Sequence, residues 1–247
     1  MKPTINQVLA ALAIVVSAVA VGSAQTSVPL PSANDVVTRM MESDVQRHSQ
    51  MTGYTAIRQY SAVNKKRHAE MLVQVTCGSD GGKQFAVLAE EGSGSIRKHV
   101  FQKLLSEETE ASRRGTRNGT RITPANYDFK VVGRQTLETG SAYVLEVSPK
   151  TNNKYLIRGN IWVDTNDYSI VRIEGQPARN PSFWVRSVHF VHTYQKVGPF
   201  WFASSTHTTS EIRIFGESEL TIQNSGYTLI PQRDRTARIE NQAGSLP

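Results

Sequence analysis

The stretch Gly159-Asn160-Ile161-Trp162-Val163-Asp164-Thr165-Asn166-Asp167-Tyr168-Ser169-Ile170-Val171-Arg172-Ile173-Glu174-Gly175 decides the fold. Two runs rich in β-branched and aromatic residues, Gly159 to Asp164 and Ser169 to Glu174, flank the short polar turn Asp164-Thr165-Asn166-Asp167. That turn is too short to hold a crossover helix, so the two strands must pair antiparallel. Outward from it, the same reading recurs at Phe129 to Thr136, Ala142 to Val147, Val185 to Val197, Phe200 to Thr208, Ile212 to Phe215 and Leu220 to Ile222, with Val197-Gly198-Pro199 as another tight connection. Consecutive strands joined this way make an antiparallel meander.

Upstream, period-two patterning begins at Tyr54. It continues through Glu70 to Thr76 after the polar Asn64-Lys65-Lys66 turn, and through Phe85 to Leu88 after Ser79-Asp80-Gly81-Gly82, giving three more strands joined by hairpins. Two segments are helical instead. Asp35 to Gln50 follows cap residues within Ser32 to Asp35 and carries Val36, Val37, Met40, Met41 and Val45 at helical spacing. A second helix starts near Ser95, sets Ile96, Val100, Phe101, Leu104 and Leu105 on one face, and stops at Arg113-Arg114-Gly115. About ten or eleven strands are too many for a flat open sheet. The expected fold is therefore mainly β (α+β): a strongly curved antiparallel sheet forming an incomplete barrel, with about two helices covering or plugging its concave side.

The amino terminus has a different character. Lys2 is the only charged residue before Asp35, Val8 to Val21 is apolar except for Ser17, and Gly22-Ser23-Ala24 supplies small residues ahead of Gln25. This is the pattern of a secretory signal peptide cleaved after Ala24, since the apolar run is short for a membrane span. No cysteine stands at the cleavage point to carry a lipid anchor. The expected organisation is a signal peptide over 1–24, a linker over 25–34, a half-barrel domain over 35–230 and a flexible tail over 231–247, in a soluble periplasmic protein. Of the 247 residues, 38% are apolar and 20% charged, the balance of a folded protein and not of a disordered one. Cys77 is the only cysteine, which excludes internal disulfides and cysteine-based zinc clusters. The formal charge of +7, from 28 Lys and Arg against 21 Asp and Glu, permits attraction to anionic surfaces.

Catalytic constellations are hard to assemble. His48, His68, His99, His189, His192 and His207 are scattered; His189 and His192, three apart on a strand, point to opposite faces, while His192 and His207 could oppose each other across the Val197 hairpin. Glu107, Glu108 and Glu110 read as the solvated face of the second helix. Gly92-Ser93-Gly94-Ser95 reads as a loop and helix cap, because it lacks the phosphate-loop lysine and the nucleophile elbow. Asn118-Gly119-Thr120 matches a glycosylation sequon by pattern. The polar stretch Gly115 to Thr123, with Arg117 and Arg121, reads as an exposed loop, either a solvated charge run or a contact for an anionic membrane surface. Cys77, at a strand end, reads as an inert half-buried thiol. No catalytic residue, metal ligand or cofactor is assigned, and no enzyme is expected.

The Gly159 to Asp164 and Tyr168 to Gly175 text resembles the outer-membrane lipoprotein-sorting family, the superfamily of the periplasmic lipoprotein carrier. Ala142-Tyr143-Val144-Leu145-Glu146-Val147-Ser148-Pro149-Lys150 is similar to the strand before it in that family, and Pro181-Ser182-Phe183-Trp184-Val185 to Gly198-Pro199-Phe200-Trp201 to its continuation in a branch of uncharacterised members. The resemblance spans about Tyr127 to Tyr227 and implies an unclosed barrel, helices at its mouth and an apolar cavity for acyl chains. Residues expected to form the apolar face of such a cavity are Met71, Val73, Val75, Phe85, Val87, Tyr143, Leu145, Val147, Ile161, Val163, Val171 and Ile173. For each of them, plain core is the competing reading. The expected function is a non-enzymatic carrier or sensor holding a lipid or lipoprotein acyl chain, with an envelope membrane protein or an anionic membrane surface as further partner and no nucleic acid. The alternative is a protein-binding module, such as the partner of a stress regulator, using the same curved sheet. If Val8 to Val21 is a signal core, intact-mass measurement on protein from the envelope fraction will give an N-terminus at Gln25 or within a few residues of it; retention of Met1 to Ala24 contradicts this.

Overall fold

The computed structural model describes residues 29–113, 119–180, 183, 185–213 and 216–231. The expected signal peptide, the tail beyond 231, Asn118 of the sequon and most of the Arg113 to Arg121 loop lie outside these residues.

Helix α1 spans Ala33–Gln50, and the Ser32 hydroxyl oxygen accepts from the Asp35 backbone N–H at 3.1 Å, which satisfies one of the open donors of the first turn. Three strands follow: β1 Gly53–Asn64, β2 His68–Gly78 and β3 Lys83–Gly92. The second helix is one continuous piece in three parts, α2 Gly94–Ile96, a π turn Arg97–Phe101 and α3 Gln102–Ser112. Ser93 stands at its N-cap without a side-chain hydrogen bond, its carbonyl accepting from the Arg97 N–H at 3.1 Å. Seven strands complete the chain: β4 Tyr127–Leu137, β5 Gly140–Pro149, β6 Ile157–Asp164, β7 Ile170–Pro177, β8 Val185–Val197, β9 Phe200–Ile212 and β10 Gly216–Leu229. Ile212, expected to open a strand of its own, instead ends β9 and pairs with Gly216 at the start of β10.

All ten strands form one antiparallel sheet in the order β3-β2-β1-β10-β9-β8-β7-β6-β5-β4. From β4 to β10 it is the expected meander. The first three strands join at the far side because β1 pairs with β10 along its length, from Tyr54 opposite Leu229 to Asn64 opposite Ser218. Strands β3 and β4 are the two edges and do not meet, so the barrel is unclosed. One device of its curvature is visible at β6 and β7. Gly159 faces Gly175 across the pair, and a Cβ on Gly159 would lie 2.1 Å from the Glu174 carbonyl oxygen, so the strands approach there as only glycines allow.

The two helices cover opposite ends of the concave side. Val36, Val37 and Met40 of α1 bury themselves against Tyr127, Leu145, Val147, Leu156, Ile161 and Val163. Ile96 and Phe101 of the second helix bury themselves against Tyr60, Ala62, Ala69, Met71, Val73 and Val75, with Val100, Leu104 and Leu105 partly buried beside them, as the helical stripe predicts. The stripe of α1 does not hold to its end. Val45 is 64% exposed, because the second half of α1 has left the β4 to β7 core.

Leu145 is fully buried in the α1 core, so Leu145→Ala should cost about 2–5 kcal/mol and Leu145→Trp about 1–3 kcal/mol in urea unfolding. If Leu145→Trp leaves stability unchanged, this end of the half-barrel is open space and not core.

Candidate functional site

Between the two helix-covered cores lies concave surface that the helices border without filling, and two cavities of about 490 and 480 Å³ occupy it. They share His48, Met51, Tyr194 and Trp201 as wall residues, so they adjoin at the C-terminal end of α1. The first is bounded by Met40 and Met41 of α1, by Met51 just past its end, by Ile170 and Ile173, and by Phe200. The second is bounded by Tyr54, Phe202, Ile222 and the single cysteine Cys77, with the Phe202 ring stacked on Tyr227 at 4.5 Å between centroids.

Of the twelve residues expected to face a cavity, Ile173 lines the first. Leu145, Val147, Ile161 and Val163 are solid core beneath α1, with Tyr143 packed at its border. Met71, Val73 and Val75 are solid core beneath the second helix, with Phe85 beside them. Two of the twelve depart from the expected inward apolar face. A bulge against Trp162 and Val163 puts Ile170 in phase with Ile173 and turns Val171 to the opposite side of the sheet, where it packs with Ala142 and Trp162. Val87 is 50% exposed, because β3 is an edge strand and no further strand covers it.

A polar cluster that the apolar face concealed borders the second cavity. Arg58 lies in phase with Ala56, Tyr60 and Ala62 on the inward side of β1 and is only 6% exposed. Its Nη1 donates to Glu108 Oε2 at 2.6 Å and to the Tyr60 hydroxyl at 3.1 Å, and its Nε donates to Asn224 Oδ1 at 2.7 Å. Lys83 Nζ meets the other carboxylate oxygen of Glu108 at 2.7 Å. Glu108 was expected on a solvated helix face; the structure corrects this, because α3 lies across β3 and β1 and points that residue at two cations. Burial alone would raise its pKa, but Lys83 and Arg58 outweigh burial and hold it down at about 2. The bridge fastens α3 to β1, β3 and, through Asn224, β10. An arginine in phase with buried alanine and tyrosine was the signal in the sequence.

His192 faces the same cavity and bonds the Thr206 hydroxyl. Burial, then Lys83 and Arg58, lower its pKa to about 4, so it is neutral at pH 7. The opposition of His192 and His207 that the Val197 hairpin could have allowed is not formed. The register sets His192 against Thr206 and His207 against Val191, so the two imidazoles fall at adjacent, alternating positions. Among the described residues no group of three or more His, Cys, Asp or Glu could hold a metal ion.

The first cavity has a basic margin. Arg121, expected in an exposed loop, turns onto α1 and pairs with Asp44, which also bonds His48. The hydrogen bond that His48 donates to Asp44 raises the His48 pKa against the opposing effect of burial. Burial works to raise the Asp44 pKa, and His48 and Arg121 overcome it. Arg47 donates to the Asp167 carbonyl at 3.0 Å.

No family model and no curated protein matches the chain. The likeness is to solved structures, at low identity. A putative outer membrane lipoprotein-sorting protein domain from Vibrio parahaemolyticus is 12% identical with a TM-score of 0.39, covering 82% of this chain and 97% of its own. A LolA superfamily protein from Nitrosomonas europaea is 8% identical with a TM-score of 0.37, covering 83% and 97%. A DUF1329 family protein from Desulfovibrio piger is 14% identical with a TM-score of 0.43, covering 85% and 98%.

Glu108→Gln leaves two buried or half-buried cations short of their carboxylate and should cost about 3 kcal/mol at pH 7. Because the folded pKa of Glu108 is depressed, its contribution is full above the ordinary carboxylate range and fades as pH falls toward about 2. Urea titrations of wild type and variant should therefore converge between pH 5 and pH 2; a constant gap contradicts the bridge.

Proposed function

We propose that the protein is an exported, periplasmic, non-enzymatic carrier or sensor that holds an acyl chain inside the half-barrel. The observation that supports this is the pair of adjoining cavities on the concave surface, whose walls include methionine, isoleucine and aromatic side chains. Each is of ligand-site size. Three of the five methionines of the chain line the first cavity, and unbranched thioether side chains adapt to an occupant without a fixed shape. Burial of about 0.8 kcal/mol per CH₂ gives a chain of roughly ten carbons useful affinity after ordering costs. The chain enters by apolar burial, and the polar groups at either end set its position.

A second reading, recognition of a partner protein, is favoured by the β3 edge. Val87 and Leu88 are 50% and 52% exposed there, beside an unpaired row of backbone groups that an extended segment of a partner could join.

A fluorescent fatty acid should bind wild-type protein saturably, and protein purified without detergent should release lipid on organic extraction. Ala203→Trp, which fills the second cavity, should reduce uptake at least tenfold while unfolding stays cooperative. Absence of saturable uptake and of extractable lipid removes the carrier reading and leaves the β3 edge as the better one.

A further inference from the structure

The two cavities are not equivalent in their charges. In the second, Arg58 spends its donors on Glu108, Tyr60 and Asn224, and Lys83 meets Glu108, so the cations bordering it are satisfied within the protein. In the first, Asp44 is the single carboxylate of the wall, and it is taken by Arg121 and His48. Arg47 remains. It is half-buried, and its hydrogen bond goes to the neutral carbonyl of Asp167; among the described residues no carboxylate lies within salt-bridge distance of it. The Asp167 carboxylate is engaged elsewhere, by Lys196 at 2.9 Å and by the Trp201 indole N–H at 2.8 Å. A guanidinium drawn partly out of water without a counter-ion is costly, and a ligand anion supplies what the chain does not. Beyond it along the chain, Met51 and, across from it, Tyr194 line both cavities and lead into the second, while Met40 and Met41 line the first on the other side of Arg47.

From this polarity we propose that the ligand is a single-chain anionic amphiphile, its carboxylate or phosphate head held by Arg47 at the first cavity and its chain running past Met51 toward Phe202. The assignment rests on the carrier reading and adds to it the charge, position and direction of the ligand. His48 and Arg121 enlarge the positive margin around the head, with Asp44 as the one opposing charge. The site selects for charge at the head, because Arg47 lacks a carboxylate partner among the described residues, whereas Arg58, Lys83 and Glu108 at the second cavity are paired with one another.

Calorimetric titration of the full chain with four ten-carbon ligands, decanoate, decyl phosphate, decanol and decyltrimethylammonium, tests this directly. Decanoate and decyl phosphate should bind at least tenfold more tightly than decanol, and decyltrimethylammonium more weakly than decanol; the ratio of the two acids tells a carboxylate ligand from a phosphate one. Arg47→Gln should bring the acids to within about twofold of decanol while leaving the affinity for decanol unchanged, and Arg47→Lys should retain most of the preference. Equal binding of decanol and the acids by wild type overturns the headgroup assignment and leaves the carrier reading standing, as does a preference that survives Arg47→Gln. Failure of all four ligands to bind overturns both.

Discussion

The pairing of β1 with β10 is the constraint on which the rest depends. It joins strands at opposite ends of the described chain along most of their length and turns two antiparallel segments, β1 to β3 and β4 to β10, into one sheet of ten strands. Without it each segment would need a core of its own. With it, the concave surface is continuous from β3 to β4, the two edges cannot close on one another, and each helix covers the end nearest to it. The concave surface is longer than two helices can fill, and the cavities are what remains.

Arg58 stands on that joint. It is the direct register partner of Asn224, and it is also the residue that α3 reaches through Glu108. A buried guanidinium in a row of alanines and tyrosines is unfavourable unless it is paired and hydrogen-bonded. Here a carboxylate, an amide and a phenol take three of its five N–H donors, with the Phe85 ring 5.6 Å from the guanidinium carbon. The same cluster that holds the sheet halves together therefore sets the position of the second helix and bounds the second cavity. Structural fastening and the wall of the second cavity share the same residues.

The strands were legible because their patterning is local: period two in Gly140–Pro149 or Ile157–Asp164 needs no knowledge of the partner. Helix α1 was legible from Ser32 and the Val36 to Met40 spacing. The order of strands was not, since β1 reaches β10 across more than 150 residues and nothing within either strand names the other. Val171 was assigned to the wrong side because a bulge shifts parity by one residue, an event that alternation alone does not signal. Glu108 was assigned to solvent because a carboxylate on a helix reads as exposed until the cations beneath it are placed. The expected cavity residues were for the most part core. An apolar face says which side of a strand is inward, but only the reach of the two helices determines where that side is filled and where it is left open.

On the proposed function the unfilled concave surface is ligand space. A crystal of the protein grown with 10-bromodecanoic acid tests it most directly, since bromine scatters anomalously and its place can be read without ambiguity. The account predicts one anomalous peak between Met51 and Phe202, with the carboxylate at Arg47. Bromine found only outside the half-barrel, with ordered water filling both cavities, would contradict it.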